Sequence, residues 1–199
     1  MTKSEIIKIL DSLYETIVLT SDYFIVYKSI NDALRVRPQE IRISSGFFHV
    51  TRIALIQGMF IELNKIFDKN DKSYSLLDIF SLCGKCLPEL RDDIKILKKA
   101  YKKISPVVEN IRKQRNTHYA HHDKKYIEDS SMISEEYPIS LLDIEKTIDF
   151  IVLSFNRLHV RLDNQSFLCS HSNTDDLMKI LDRLYYATGV TPCPQTSTS

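Results

Sequence analysis

Between residues 115 and 122 the chain reads Arg-Asn-Thr-His-Tyr-Ala-His-His. One arginine, an adjacent amide and three histidines fall within little more than two helical turns. Arginine carries a fixed positive charge and a planar fork that matches phosphate oxygens. Histidine, with an ordinary pKa of roughly 6.5, donates or accepts a proton near neutrality. Together these residue types can hold and cleave a phosphodiester without help from a metal ion.

The net charge of +1 hides a division along the chain. From Lys95 to Lys125 there are ten basic residues (Lys95, Lys98, Lys99, Lys102, Lys103, Arg112, Lys113, Arg115, Lys124 and Lys125) against Glu109 and Asp123 alone. This block therefore carries +8 and the remainder −7. Such a field attracts phosphates and steers polyanions. A lysine-rich face can serve solubility alone, but its coincidence with the Arg/His cluster points to an anionic ligand. Tyr101, Tyr119 and Tyr126 lie in the same block and could stack on bases, although their helical spacing fits packing as well.

Elements that could position the cluster follow from caps and periodicity. Thr2 and Glu5 form a capping-box pattern, and apolar residues from Ile6 to Leu34 predict one long first helix that stops before Pro38. A second long helix is predicted over about 44–67, apolar on most of its circumference and so central to the domain. His49, beside Phe47 and Phe48, reads as a core histidine on that helix. Ser75 and Asp78 open a short helix ending near Gly84, and Pro88 starts another that runs to about Ile104. Ser105 and Pro106 read as the cap and first turn of a separate helix that carries the cluster. After a polar stretch over 123–138, Ser140 and Asp143 cap a helix with Ile144, Ile148, Ile151, Phe155, Leu158 and Leu162 on one stripe. A last helix is predicted near 174–188, and the tail over 189–199 reads as disordered. The expectation is one all-α domain over 1–188.

Several function classes lose ground on composition and motifs. No apolar run is long enough to span a membrane, and the start lacks the uninterrupted apolar core of a signal peptide, so a soluble cytoplasmic protein is expected. Cys83-Gly-Lys-Cys86 is the strongest competing motif, but it has no second C-x-x-C, and Cys169 and His171 are only conceivable completing ligands. Glu62 and Asp68 are too isolated to read as paired carboxylates. No phosphate-binding glycine loop or H-E-x-x-H is present, so neither a metal nor a cofactor is expected.

Arg115-Asn116 followed by Ala120-His121, at the end of a late helix in an all-helical chain, resembles the signature of the HEPN superfamily. Phe47-Phe48-His49 through Ile66-Phe67-Asp68, and Ser75-Leu76-Leu77-Asp78-Ile79-Phe80, resemble its abortive-infection U-type (AbiU-like) branch, over roughly residues 5–160. The resemblance implies a HEPN-like bundle of long antiparallel helices with additional C-terminal helices. It further implies a metal-independent endoribonuclease of a phage-defence or toxin–antitoxin system, working as a homodimer. Arg115, Asn116 and His121 would then be catalytic, with His118 and His122 as supporting candidates. RNA would be met by Lys98, Lys99, Lys102, Lys103, Arg112, Lys113, Tyr119, Lys124 and Lys125. An antitoxin or other defence-system protein is an expected partner; a membrane is not. Attack by the RNA 2′-OH would leave a 2′,3′-cyclic phosphate and a 5′-hydroxyl, and DNA would be spared. The alternative is a non-catalytic HEPN dimer that binds RNA, nucleotide or a partner protein through the same surface.

Two details bear on the assignment of the histidine. On a straight helix His118 and His122 lie closer to the face of Arg115, and His121 is about 120° away. Some HEPN toxins carry a modifiable tyrosine two residues after the histidine; here that position is Asp123.

Overall fold

The computed structural model describes residues 1–68, 73–119, 131–170, 172 and 174–187, without the side chains of 118, 119, 131 and 187. Among these residues the regular elements are helical. The Thr2 hydroxyl accepts the Glu5 N–H while the Glu5 carboxylate accepts the Thr2 N–H at 2.7 Å, which opens α1 (Lys3–Asp11). The expected continuous first helix breaks here. The Ser12 hydroxyl donates to the Ile9 carbonyl at 2.7 Å and the Leu13 N–H reaches back only three residues, to Leu10. That tightened turn separates α1 from α2 (Tyr14–Val36).

Pro38 stops α2 but occupies the first turn of a short α3 (Pro38–Ile43), which delivers the chain to α4 (Ser45–Phe67). Tyr23 packs over Gly58 and Tyr27 lies beneath Arg52, so α2 and α4 run antiparallel. A Cβ at Gly58 would stand 2.6 Å from the Tyr23 ring, and only glycine permits that approach. The centrality expected of α4 holds for its C-terminal half alone. Met59, Phe60, Leu63, Ile66 and Phe67 are buried, whereas Phe47 is 65% and Val50 64% exposed. His49 is exposed too, which corrects its reading as a core histidine: the N-terminal half of α4 reaches past the core and covers only Phe48.

Ser75 and Asp78 complete a capping box for α5 (Leu76–Cys86), which continues beyond Gly84. A single 3-10 turn, Pro88–Leu90, leads into α6 (Arg91–Gln114). The separate helix expected from Ser105 is absent because α6 runs through Pro106. Proline cannot supply the N–H that the Lys102 carbonyl would accept, and the Ser105 hydroxyl donates to that carbonyl instead, at 3.1 Å. Beyond α6 lie a π-helical turn (Arg115–Tyr119), α7 (Ser131–Glu136), α8 (Leu141–Asp163) and α9 (Asp175–Ala187). The short α7 falls in the stretch read as polar, where no helix was expected. Ser140 and Asp143 box the start of α8, and Asn164 ends it in the left-handed conformation at φ 59°.

Rings of Tyr101 and Phe150 meet at 6.1 Å and Arg157 reaches Asp93, so α6 and α8 are antiparallel as well. The main core includes Leu63, Ile79, Phe80, Leu97, Ile151 and Phe155, drawn from α4, α5, α6 and α8. A smaller core of Ile30, Ala33, Ile41, Phe48 and Leu181 seats α9 on α2, α3 and α4. The all-α expectation therefore stands, long antiparallel helices and C-terminal additions included. Among the described residues no helix is long and apolar enough to cross a membrane. The region assigned to the tail, 189–199, lies outside the described residues.

Candidate functional site

Arg115 follows directly from the inward face of α6, the face that carries Leu97, Val108 and Ile111 into the core. The five-residue π turn that begins at Arg115 packs against α4. In a π turn each N–H reaches back five residues rather than four. The Thr117 hydroxyl donates to the Lys113 carbonyl at 2.7 Å, satisfying an acceptor at this widened step. The straight-helix angles that favoured His118 and His122 therefore no longer apply beyond Arg115.

The immediate support of the motif is polar. Gln114, 7% exposed, donates from Nε2 to the Tyr137 carbonyl at 2.6 Å. Asn110 donates from Nδ2 to the Pro138 carbonyl at 2.9 Å. These two amides clamp the segment leading into α8 against the last turns of α6. Sequence reasoning missed both, since an isolated amide on a helix carries no signal until its partner, some 23–28 residues away, is known.

Arg115 is partly buried and donates from Nη1 to Asn116 Oδ1 at 2.9 Å. No carboxylate among the described residues pairs with it, and its buried Nε has no acceptor at all. A buried donor without a partner costs roughly 1–3 kcal/mol unless something supplies one. Asn116 is exposed, and since its carbonyl oxygen accepts from Arg115, its amide N–H groups are left as its donors. The pair thus presents a guanidinium and an amide, both with donors to spare. An anion would complete them.

The rest of the expected site divides. Lys98, Lys99, Lys102, Lys103 and Lys113 are exposed, but on the outward face of α6, opposite the side that carries Arg115. Lys103 is also twelve residues from Arg115, about 18 Å along the axis. Lys98 and Lys99 are farther still. These lysines would add to the field around an anion at Arg115 rather than touch it. Arg112 is exposed and bonded to Glu109 at 2.8 Å, a partner that raises its pKa further. Tyr101 is a packing residue: its ring lies 5.8 Å from Phe67 and 6.1 Å from Phe150, and burial raises its pKa. His121, His122, Lys124, Lys125 and Tyr126 lie outside the described residues, as do the side chains of His118 and Tyr119.

The cysteine motif joins the core. Cys83 is fully buried and desolvation pushes its thiol up to about 11. Among the described residues no group of three or more His, Cys, Asp or Glu is placed to hold a metal. Glu62 is taken up by Lys65 at 2.6 Å.

The comparison with family models agrees with the fold and with the family resemblance. The model of the HEPN_AbiU2 family, AbiU2, matches residues 3–181. The chain belongs to the HEPN AbiU2 family. Neither the curated proteins nor the solved structures gave a match. Family membership ties this HEPN chain to abortive infection, and the match reaches into the first half of α9, beyond the roughly 5–160 read from sequence.

Proposed function

We propose that this HEPN chain is a metal-independent endoribonuclease acting in phage defence or a toxin–antitoxin pair, with a composite site built by two copies. The observation that carries the reading is Arg115, partly buried at a π turn, free of any carboxylate partner among the described residues and set in a block of net +8. Arg115 would neutralise the charge that builds on the phosphate as the RNA 2′-OH attacks. Asn116 would donate to a second phosphate oxygen. His121 would transfer the protons, with His118 and His122 as alternates.

The reaction needs a base for the 2′-OH and an acid for the leaving 5′-oxygen. If each chain contributes one histidine, a two-fold pair supplies both. Exposed apolar residues on α4, the helix on which the π turn rests, support such a pair: Phe47, Val50 and Ile53. Abortive infection requires restraint of such an activity, so an antitoxin or another defence-system protein is the partner that the reading calls for.

Incubation of the purified protein with RNA in EDTA tests it. The expected products end in 2′,3′-cyclic phosphate and 5′-hydroxyl, and they vanish in Arg115→Ala and His121→Ala dimers that remain folded. Cleavage unaffected by both substitutions would sink the site assignment. Tight, salt-sensitive RNA binding without cleavage would replace the enzyme with a non-catalytic binding dimer.

A further inference from the structure

Four arginines of the described structure are partly buried: Arg37, Arg52, Arg115 and Arg157. Two are tied to carboxylates. Arg37 bonds Glu40 at 2.9 Å and Asp182 at 2.6 Å, and Arg157 bonds Asp93 at 2.6 Å. Arg52 and Arg115 have no carboxylate partner among the described residues, and each holds a buried Nε that no acceptor meets. They are the two arginine Nε atoms in that state among the described residues.

The fold packs the elements that carry this pair, α4 and the π turn, against each other. The Arg52 guanidinium lies over the Tyr27 ring, 5.8 Å from its centroid. Tyr27, Ile56, Phe60 and Gln114 line one open groove of about 580 Å³. Arg52, Ile56 and Phe60 are spaced four residues apart, so they share a face of α4. Arg115 follows Gln114, and its π turn packs on the same helix. Residues beside both arginines thus line one groove: Ile56 and Phe60, on the α4 face that carries Arg52, and Gln114, which precedes Arg115.

We propose that Arg52 is a second phosphate-binding residue of the RNA site, gripping a backbone phosphate next to the one held by Arg115. The proposal rests on the reading of Arg115 as a phosphate residue. The cation–π contact with Tyr27 holds the guanidinium in place without consuming its donors. A ligand that satisfies two such arginines must carry repeated anionic groups at intervals, which a ribose-phosphate strand does.

Binding of a short, uncleavable 2′-O-methyl oligoribonucleotide, followed by fluorescence anisotropy across a salt series, tests this. The proteins are the full chain and its Arg52→Gln, Arg115→Gln and Arg183→Gln variants, the last altering an exposed arginine on α9. Arg52→Gln is expected to weaken binding about tenfold and to flatten the log–log salt slope by about 0.7, the value of one phosphate contact on a single strand. Arg183→Gln should leave affinity and slope unchanged. A wild-type slope in Arg52→Gln, alongside loss of binding in Arg115→Gln, overturns the role of Arg52 and leaves the proposed function standing. Equal binding by all four proteins, or by none, removes the reading of Arg115 and this proposal with it. Should Arg52→Gln melt early, Arg52→Lys serves instead. It keeps the charge and loses the fork, so weaker binding at an unchanged slope is expected, and wild-type affinity refutes the proposal.

Discussion

Arg157 on α8 and Arg115 at the π turn after α6 are both partly buried arginines, and their surroundings could hardly differ more. Around Arg157 every charge is answered. Asp93 accepts from Arg157 through Nε and Nη2 at 2.8 and 2.6 Å and from Arg161 at 3.1 Å, which ties α6 to α8. Nearby, Asn156 holds the chain after α8 by accepting the Phe167 N–H at 2.8 Å and donating to its carbonyl at 3.3 Å. Around Arg115 no carboxylate among the described residues answers the charge, and the one partner of its guanidinium among them is the neighbouring amide. One region spends its arginine on the fold. The other holds its arginine ready for something else.

The largest effect expected from this contrast is catalytic. Arg115→Ala should lower RNA cleavage by about 10²–10³-fold, the usual cost of removing one donor that meets transition-state charge. Its thermal midpoint should stay near that of the wild type, since no ion pair among the described residues is broken. A steep fall in midpoint would make Arg115 a structural residue like Arg157 and erase the distinction.

The converse substitution is expected to act on stability. Asp93→Ala strips the partner from Arg157 and Arg161. Arg157 is 37% exposed, so water recovers part of the loss, and about 1–2 kcal/mol is the expected cost. For a chain of this size that is a fall of roughly 2–8 °C in thermal midpoint. Cleavage per folded molecule should not change. Loss of activity in a folded Asp93→Ala protein would mean that the α6–α8 tie also sets the site.

The sequence was most legible where signals are local. The boxes at Thr2, Ser75 and Ser140 each need only four residues, and all three form. Helix continuity was harder to read. Ser105-Pro106 looks like a start in sequence, yet the serine hydroxyl replaces the missing N–H and α6 passes straight through. Ser12 does the opposite, breaking a pattern whose apolar period runs on unbroken. Of the site, Arg115 and Asn116 were visible as a motif, but the inward set of Arg115 and the outward set of the lysines depend on which face of α6 meets the core. Arg52 carried no sequence signal at all. Sixty-three residues separate it from Arg115, and only the packing of α4 relates them.

A smaller test addresses how α6 survives its proline on the way to the motif. Ser105→Ala would leave the Lys102 carbonyl without its hydroxyl donor. The site is solvent-accessible, so water can replace much of the bond, and about 0.5–1 kcal/mol of destabilisation is expected by thermal or urea melting. Neutrality would show that Pro106 is accommodated by packing alone.

The smallest effect concerns pH and the cap of α8, which follows the segment clamped by Gln114 and Asn110. The Asp143 carboxylate accepts from the Ser140 hydroxyl at 2.6 Å and from its N–H at 3.0 Å, and both bonds hold its pKa below the ordinary carboxylate value. A depressed pKa means that the unfolded chain takes up this proton first as pH falls. The cap's contribution is therefore complete above the ordinary carboxylate range, near pH 4 and upward. It disappears as pH drops through that range and then through the lower folded value. Asp143→Asn should flatten the stability–pH curve in this acid window and leave the neutral region slightly lower. An unchanged acid limb would place the acid sensitivity of the fold elsewhere, and would make this cap, unlike the Asp93 tie, dispensable to the end of the molecule that supports Arg115.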